Sequence, residues 1–130
     1  MIAVDTSALM AIVLDEREAQ ACMAALAQDD TVVISAATLA EALIVAARRN
    51  VHDELALIVD GLGFEIATVT QASARRVAQA YERWGKGLHP AGLNFGDCFA
   101  YDVAKQNGCP LLYVGDDFAR TDIASALETS

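Results

Sequence analysis

Asp5, Glu41, Asp97 and the adjacent pair Asp116 and Asp117 are the side chains whose types and placement could do chemistry. Asp5 closes a short apolar run, and Asp116 follows another after a single glycine. Carboxylates gathered in one place repel one another and raise one another's pKa. A bound cation removes that cost, and ligands made of oxygen alone favour Mg²⁺ or Mn²⁺ over zinc. Each acid also has a plainer reading. Asp5 could cap the helix that follows it, and Asp97 could complete a cap with Asn94. Glu41 could belong to a solvated stripe with Thr38 and Arg48, and Asp116 and Asp117 could be turn residues. What decides between these readings is whether the fold brings the acids together.

The elements that would position them follow from the pattern of the chain. Ile2 to Asp5 reads as a buried strand, with Thr6 and Ser7 as N-cap residues of a first helix. A second helix is expected from about Glu16 to Gln28. Thr31 to Ile34 is β-branched and reads as a strand, after which Ser35 caps an Ala-rich helix to about Asn50. His52 and Asp53 open another helix, which ends near Gly61 and Gly63. Phe64 to Val69 is a third strand, and Thr70 begins an amphipathic helix to Trp84. Gly85 to Leu93 reads as a loop, Asn94 caps a helix that stops at Gly108, and Leu111 to Val114 is the last clear strand. Turn and short helix are expected after it.

Strands alternating with helices imply an α/β sandwich of three layers, a mainly parallel sheet with helices on both faces. In such sheets ligands bind beyond the carboxyl ends of the strands. Asp5 and Asp116 fall at that edge directly. Glu41 lies within two turns of the start of the helix leaving the second strand. Asp97 lies in the first turn of a helix that leads into a strand, so it starts at the same edge. Topology alone predicts that four carboxylates converge.

Composition bounds the rest. A chain of 130 residues, 55% of them hydrophobic, is long enough for one domain with a real core. No apolar run approaches the ~20 residues of a membrane span. Without a basic region ahead of the first apolar stretch no signal peptide is expected, so the chain reads as cytoplasmic. A net charge of −9 counts against nucleic-acid binding by charge alone. It does not exclude an enzyme that meets phosphate through cations held on carboxylates. Cys22, Cys98 and Cys109 lack ligand spacing and read as reduced thiols. His52 and His89 are isolated, and Gly61-Leu62-Gly63 lies between a helix and a strand, the reverse of a dinucleotide-binding order.

Four segments carry a resemblance. Val4-Asp5-Thr6-Ser7-Ala8-Leu9 resembles the opening of PIN-domain proteins, and Ile34-Ser35 followed by Glu41 resembles their second acidic position. Leu93-Asn94-Phe95-Gly96-Asp97-Cys98-Phe99-Ala100-Tyr101 resembles the third, as found in one VapC subgroup. Gly115-Asp116-Asp117-Phe118 with Thr121-Asp122-Ile123 resembles that subgroup's C-terminal signature, although the family's fifth strand is not evident after Asp122. The resemblance spans nearly the whole chain. It implies a single PIN domain over residues 1–130 with a sheet of four or five strands. It further implies Mg²⁺- or Mn²⁺-dependent endonucleolytic cleavage of RNA, as by the toxin of a bacterial VapBC pair. A small VapB-type antitoxin is the implied partner, and a homodimer is expected.

On that reading Asp5 and Asp97 hold a metal that polarises the scissile phosphate and ionises a water. Glu41 and Asp116 complete a second site or orient the water, and Thr6 or Ser7 supports the ligands. The fourth acid stays open between Asp116 and Asp117, with Asp116 preferred as nearer the strand end. Arg75, Arg76, Arg83 and Lys86, with Tyr81, Trp84 and His89, could grip single-stranded RNA or form a solvated helix face over a core aromatic. Leu9, Met10, Ile12, Val13, Leu14, Leu43, Ile44 and Val45 could exceed what one sheet face covers and so form a partner surface, or simply be core. Two rival functions remain. A phosphoacceptor signalling domain would need an acid beside Asp5 and a Lys after the last strand, and the sequence has neither. A catalytically inactive PIN-like RNA- or protein-binding module would have lost part of the acidic set.

Overall fold

Three short apolar segments, too brief to stand alone as strands in water, form the middle of the molecule by pairing in parallel. The computed structural model describes residues 1–127, which form β1 (Ile2–Val4), α1 (Thr6–Val13), α2 (Ala19–Gln28), β2 (Val32–Ser35), α3 (Ala36–Arg48), α4 (His52–Gly61), β3 (Glu65–Ala67), α5 (Gln71–Trp84), α6 (Phe95–Asn107) and β4 (Leu111–Leu112). The last three residues of the expected 1–130 domain lie outside the described ones. The sheet order is β3-β2-β1-β4, every pair parallel. Ala3 stands opposite both Val33 and Leu111, so β1 is paired on its two sides.

Both faces of β1 are buried, which is why its sequence is a continuous apolar run rather than an alternation. Ile2, Val4, Val32, Ile34 and Leu112 point to one face, where Ala8, Leu9, Ala42, Ala46 and Leu55 of α1, α3 and α4 cover them. Ala3, Val33 and Leu111 point to the other, under Val77 and Trp84 of α5 and Cys98, Tyr101 and Ala104 of α6. This is the expected three-layer α/β architecture.

Local signals hold at several boundaries. Ser35 caps α3 by accepting from the Ala37 amide, and Thr70 caps α5 in a reciprocal box with Ser73. Gly108 ends α6 in the left-handed region at φ 57°, where a Cβ would be strained.

Other expectations need correction. The first helix is capped by Asp5, not by Thr6 or Ser7, and Thr6 is its first residue. The second helix starts at Ala19 rather than Glu16, because α1 closes with Asp15 left-handed at φ 53° and Glu16 donating back to the Ala11 carbonyl. β3 covers only Glu65–Ala67, and β4 stops at Leu112 because the next amides leave the ladder. Beyond β4 a single parallel bridge joins Leu111 to Ser125, with hydrogen bonds from Leu111 N to Ala124 O and from Ala126 N to Leu111 O. Among the described residues the sheet therefore has four strands and one bridge in place of a fifth. No helix forms between Gly115 and Leu127, only turns.

The apolar residues of α1 are core. Leu9 and Met10 are buried, Ile12, Val13, Leu14, Leu43 and Val45 are partly buried against the same cluster, and among them Ile44 alone stands out, at 61% exposed. The larger exposed apolar surface lies between α5 and α6 instead. There Val69, Val77, Tyr81, Phe95, Cys98 and Phe99 help to line a groove of about 670 Å³, and Phe95 is 71% exposed.

Candidate metal centre

The chain runs outward from β1 to β2 and β3, then returns to the far side of β1 to lay down β4. The strand order thus reverses at β1, and the crevice beyond its carboxyl end is where open α/β sheets bind ligands. Asp5 is the residue that leaves β1 into this crevice. Its amide donates to the Leu112 carbonyl at 3.0 Å, so β1 and β4 hold its backbone jointly. Oδ2 accepts from the amide of Ser7 at 3.1 Å and from its hydroxyl at 2.7 Å. The Ser7 hydroxyl in turn accepts from Val114 N at 3.0 Å, which is one reason the last strand is short. Asp5 Oδ1 is buried and has no protein partner among the described residues.

Glu41 reaches the same place from α3. The Thr6 hydroxyl donates to its Oε1 at 2.7 Å. Its carboxylate lies against Gly96 in the first turn of α6. One turn earlier on α3, Thr38 is buried, its hydroxyl has no partner among the described residues, and its carbonyl lies 3.4 Å from the Thr6 hydroxyl. Sequence reasoning gave Thr38 no role beyond sharing a helix face with Glu41. The i, i+3 spacing from Glu41 was the available signal.

Asp97 occupies the third position of α6, in a box with Asn94. Asp97 N donates to Asn94 Oδ1 at 2.8 Å, and Asn94 N donates to Asp97 Oδ2 at 3.0 Å. The plain capping reading is therefore correct, and it does not exclude the other. Burial drives the Asp97 carboxyl up to about 7; the Asn94 hydrogen bond opposes this, and the charges of Asp5, Asp117 and Glu41 add to it. Asp5 is also raised, by burial first and against the pull of the Ser7 hydrogen bonds, with Glu41 adding.

Asp116 and Asp117 lie on the turn after Gly115, exposed, and line one cavity of about 390 Å³ with Pro90, Ala91, Ala119 and Arg120. The charge of Asp117 adds to the rise of Asp97, after burial and the charge of Asp5. Asp5, Glu41, Asp97 and Asp117 therefore share one electrostatic neighbourhood. Among the described residues, none of the five acids forms an ion pair with a Lys, Arg or His.

A buried carboxylate oxygen without a partner, beside acids without a counter-cation, is an oxygen-only donor set for a hard divalent ion. Among the described residues, no three His, Cys, Asp or Glu side chains close on one point by themselves. Water would complete the sphere of an ion here, as Mg²⁺ in particular tends to require. The cysteines are free, with Cys22 and Cys98 buried and their thiols pushed up to about 11 by burial first, so none competes as a ligand.

The basic and aromatic stretch is mostly occupied with structure. Trp84 is buried, donates from Nε1 to the Tyr101 hydroxyl at 3.0 Å, and meets His89 edge-on at 4.8 Å. Arg76 pairs with Asp102 at 2.7 Å, and the Arg83 guanidinium stacks 4.5 Å above the Trp84 ring. Tyr81, Arg75 and Lys86 face solvent.

The PIN domain family model matches residues 2–124. Ribonuclease VapC30 of Mycobacterium tuberculosis is 42% identical over 125 residues, covering 94% of this chain and 95% of that protein. Ribonuclease VapC of Mycolicibacterium smegmatis is 41% identical, covering 94% and 97%. Among solved structures, the fold is shared with Mycobacterium tuberculosis VapC20, a sarcin–ricin loop cleaving toxin, at a TM-score of 0.78, 18% identity and 95% and 97% coverage. A toxin–antitoxin complex from Klebsiella pneumoniae matches at a TM-score of 0.75, 19% identity and 99% and 100% coverage. The edge at which the sheet gathers its acids is thus the edge of a known fold, and the chain belongs to the PIN-domain family, in its VapC ribonuclease group.

Proposed function

We propose that this protein is a Mg²⁺- or Mn²⁺-dependent endoribonuclease, the toxin of a type II toxin–antitoxin pair, acting in the cytoplasm as a single PIN domain. The observation that carries the metal is Asp5 Oδ1, a buried carboxylate oxygen that, among the described residues, has no protein partner and sits beside acids without a counter-cation. The relatives' names carry the substrate class.

Asp5 and Asp97 are the residues that would hold the ion, with Glu41 and one loop acid completing the set. Between Asp116 and Asp117 we now favour Asp117, whose charge acts on Asp97. The bound ion would supply a Lewis acid for the scissile phosphate and a water acidic enough to ionise near neutral pH. The chain supplies the rest. Ser7 fixes the Asp5 carboxylate by donating to Oδ2, leaving Oδ1 free for the ion. Thr6 fixes Glu41 by donating to its Oε1, and Glu41 would act as the acceptor of a proton from an attacking water. The Asn94 amide holds one oxygen of Asp97 and leaves the other for the ion.

The partners follow the same reading: an RNA substrate, a small VapB-type antitoxin and a second copy of the chain. The exposed apolar groove between α5 and α6 supports a protein partner. No helix among the described residues is long and apolar enough to cross a membrane.

The test is incubation of an RNA pool with purified, antitoxin-free protein and Mn²⁺ or Mg²⁺, with EDTA and Asp5→Asn as controls. Discrete fragments lost in both controls are expected. Cleavage that survives Asp5→Asn in a folded protein would refute the site. An inert but folded, metal-loaded protein would favour the binding-module reading.

A further inference from the structure

We propose that Gly96 is a positioning residue for Glu41, its missing side chain being the space into which the Glu41 carboxylate fits; this rests on the metal-site reading above. A Cβ placed on Gly96 would stand 2.5 Å from Glu41 Oε2, 3.1 Å from Cδ and 3.2 Å from Oε1. No real Cβ tolerates the first of these contacts. The conflict is with the far end of a flexible side chain, so substitution would move Glu41 and leave the helix in place.

The backbone gives no other reason for glycine here. Gly96 lies inside α6, one residue before Asp97, and is not among the glycines with positive φ. Glycine within a helix weakens it relative to alanine, through the extra freedom lost on folding. The position therefore gives up helix stability and gains room. Into that room comes a carboxylate from a different helix, set against the positive end of α6, where negative charge is favoured. Glu41 is held there between two contacts, the Thr6 hydroxyl at 2.7 Å on one side and the open face of Gly96 on the other. Pushed off Gly96, the carboxylate would shift from the position in which it accepts from the Thr6 hydroxyl.

The experiment is a double-mutant cycle read by Mn²⁺ affinity, using electron paramagnetic resonance to count free ion over the full chain. The proteins are wild type, Gly96→Ala, Glu41→Ala and the double variant, each also melted in EDTA. Gly96→Ala should weaken Mn²⁺ binding by about 10- to 100-fold, the loss typical when the support of a metal ligand is removed. Its metal-free melting temperature should hold or rise. In the Glu41→Ala background, Gly96→Ala should weaken binding no further, since no carboxylate remains to be displaced. Wild-type affinity in Gly96→Ala would overturn the proposal. So would an equal loss in both backgrounds, which would place the effect in the α6 backbone. If Gly96→Ala fails to fold while the double variant folds, the steric coupling stands on that result. If both fail to fold, the proposal falls. Absence of Mn²⁺ binding by wild type would instead defeat the metal-site reading and remove this proposal with it.

Discussion

Replacing Asp97 with Asn should stabilise the metal-free protein at alkaline pH, although it removes a residue assigned to the site. Asp97 is 8% exposed, and its carboxyl is raised from 3.8 to about 7, burial being the main cause and Asp5, Asp117 and Glu41 adding to it. The unfolded chain releases this proton near 3.8, the folded chain only near 7. Between those values the native state binds more protons, so stability falls as pH rises through the window and stays reduced above it. At ~1.36 kcal/mol per unit the full shift amounts to about 4 kcal/mol, an order-of-magnitude figure. Roughly 2 to 3 kcal/mol of it is lost between pH 5 and pH 8.

An Asn at this position keeps both capping hydrogen bonds with Asn94, since its amide oxygen still accepts and its backbone still donates. The charge alone is removed. In EDTA at pH 8, Asp97→Asn should melt on the order of 10 °C above wild type, given about 3 to 4 °C per kcal/mol for a chain of this size. At pH 5 the gap should shrink to less than half. With excess Mn²⁺ the order should reverse, because an ion held by the carboxylate stabilises wild type by mass action. Circular dichroism melts at the two pH values check this. Equal melting temperatures at pH 8 in EDTA, or a gap that does not change with pH, would refute the reasoning about buried charge.

Thr6→Val removes the hydroxyl that donates to Glu41 Oε1 while keeping the shape of the side chain. Loss of a hydrogen bond to a charged group, about 1.5 to 3 kcal/mol, should lower the metal-free melting temperature by roughly 5 to 12 °C and slow single-turnover cleavage by the folded protein at least roughly tenfold. Cleavage at the wild-type rate would show that Glu41 is held by something else. Tyr101→Phe should lower stability alone. It strands the buried Trp84 Nε1 and removes the 2.6 Å bond from the Tyr101 hydroxyl to Asp122, so urea unfolding should report a loss of about 1 to 3 kcal/mol, with cleavage per folded molecule unchanged.

The parts legible in the sequence were those set by local chemistry and by topology. Ser35, Thr70 and Asn94 satisfy helix amides wherever they stand before a helix, so the starts of their helices are legible to within a residue. The convergence of Asp5, Glu41 and Asp97 needed only parallel strands and the direction of each connecting helix. What escaped depended on contacts between distant segments. The truncation of β4 comes from Val114 N turning to Ser7, a bond across 107 positions that no local pattern records. Gly115, at φ 102°, turns the chain after the last strand, so nearness to the strand end does not by itself choose between Asp116 and Asp117. The cap at Asp5 was weighed against a functional role as though one excluded the other, whereas one oxygen serves the cap and the other is left over. Gly96 gave no signal in one dimension, because its neighbour Glu41 comes from another helix.

The position of β4 bears on how the protein is made. β1 leaves the ribosome before the other strands of this sheet, yet one of its two sides is filled by residues 111 and 112, more than a hundred positions later. Until those residues arrive, β1 is an open edge, and the Ser7 hydroxyl lacks the amide that later ties it to the last strand. A nascent or prematurely terminated chain thus carries Asp5, Glu41 and even Asp97 without the strand that closes the crevice around them. Such a fragment should be harmless to nearby RNA and prone to aggregate. On this view a cell producing the protein gains a delay, since cleavage cannot begin until residues 111 and 112 have been made and paired.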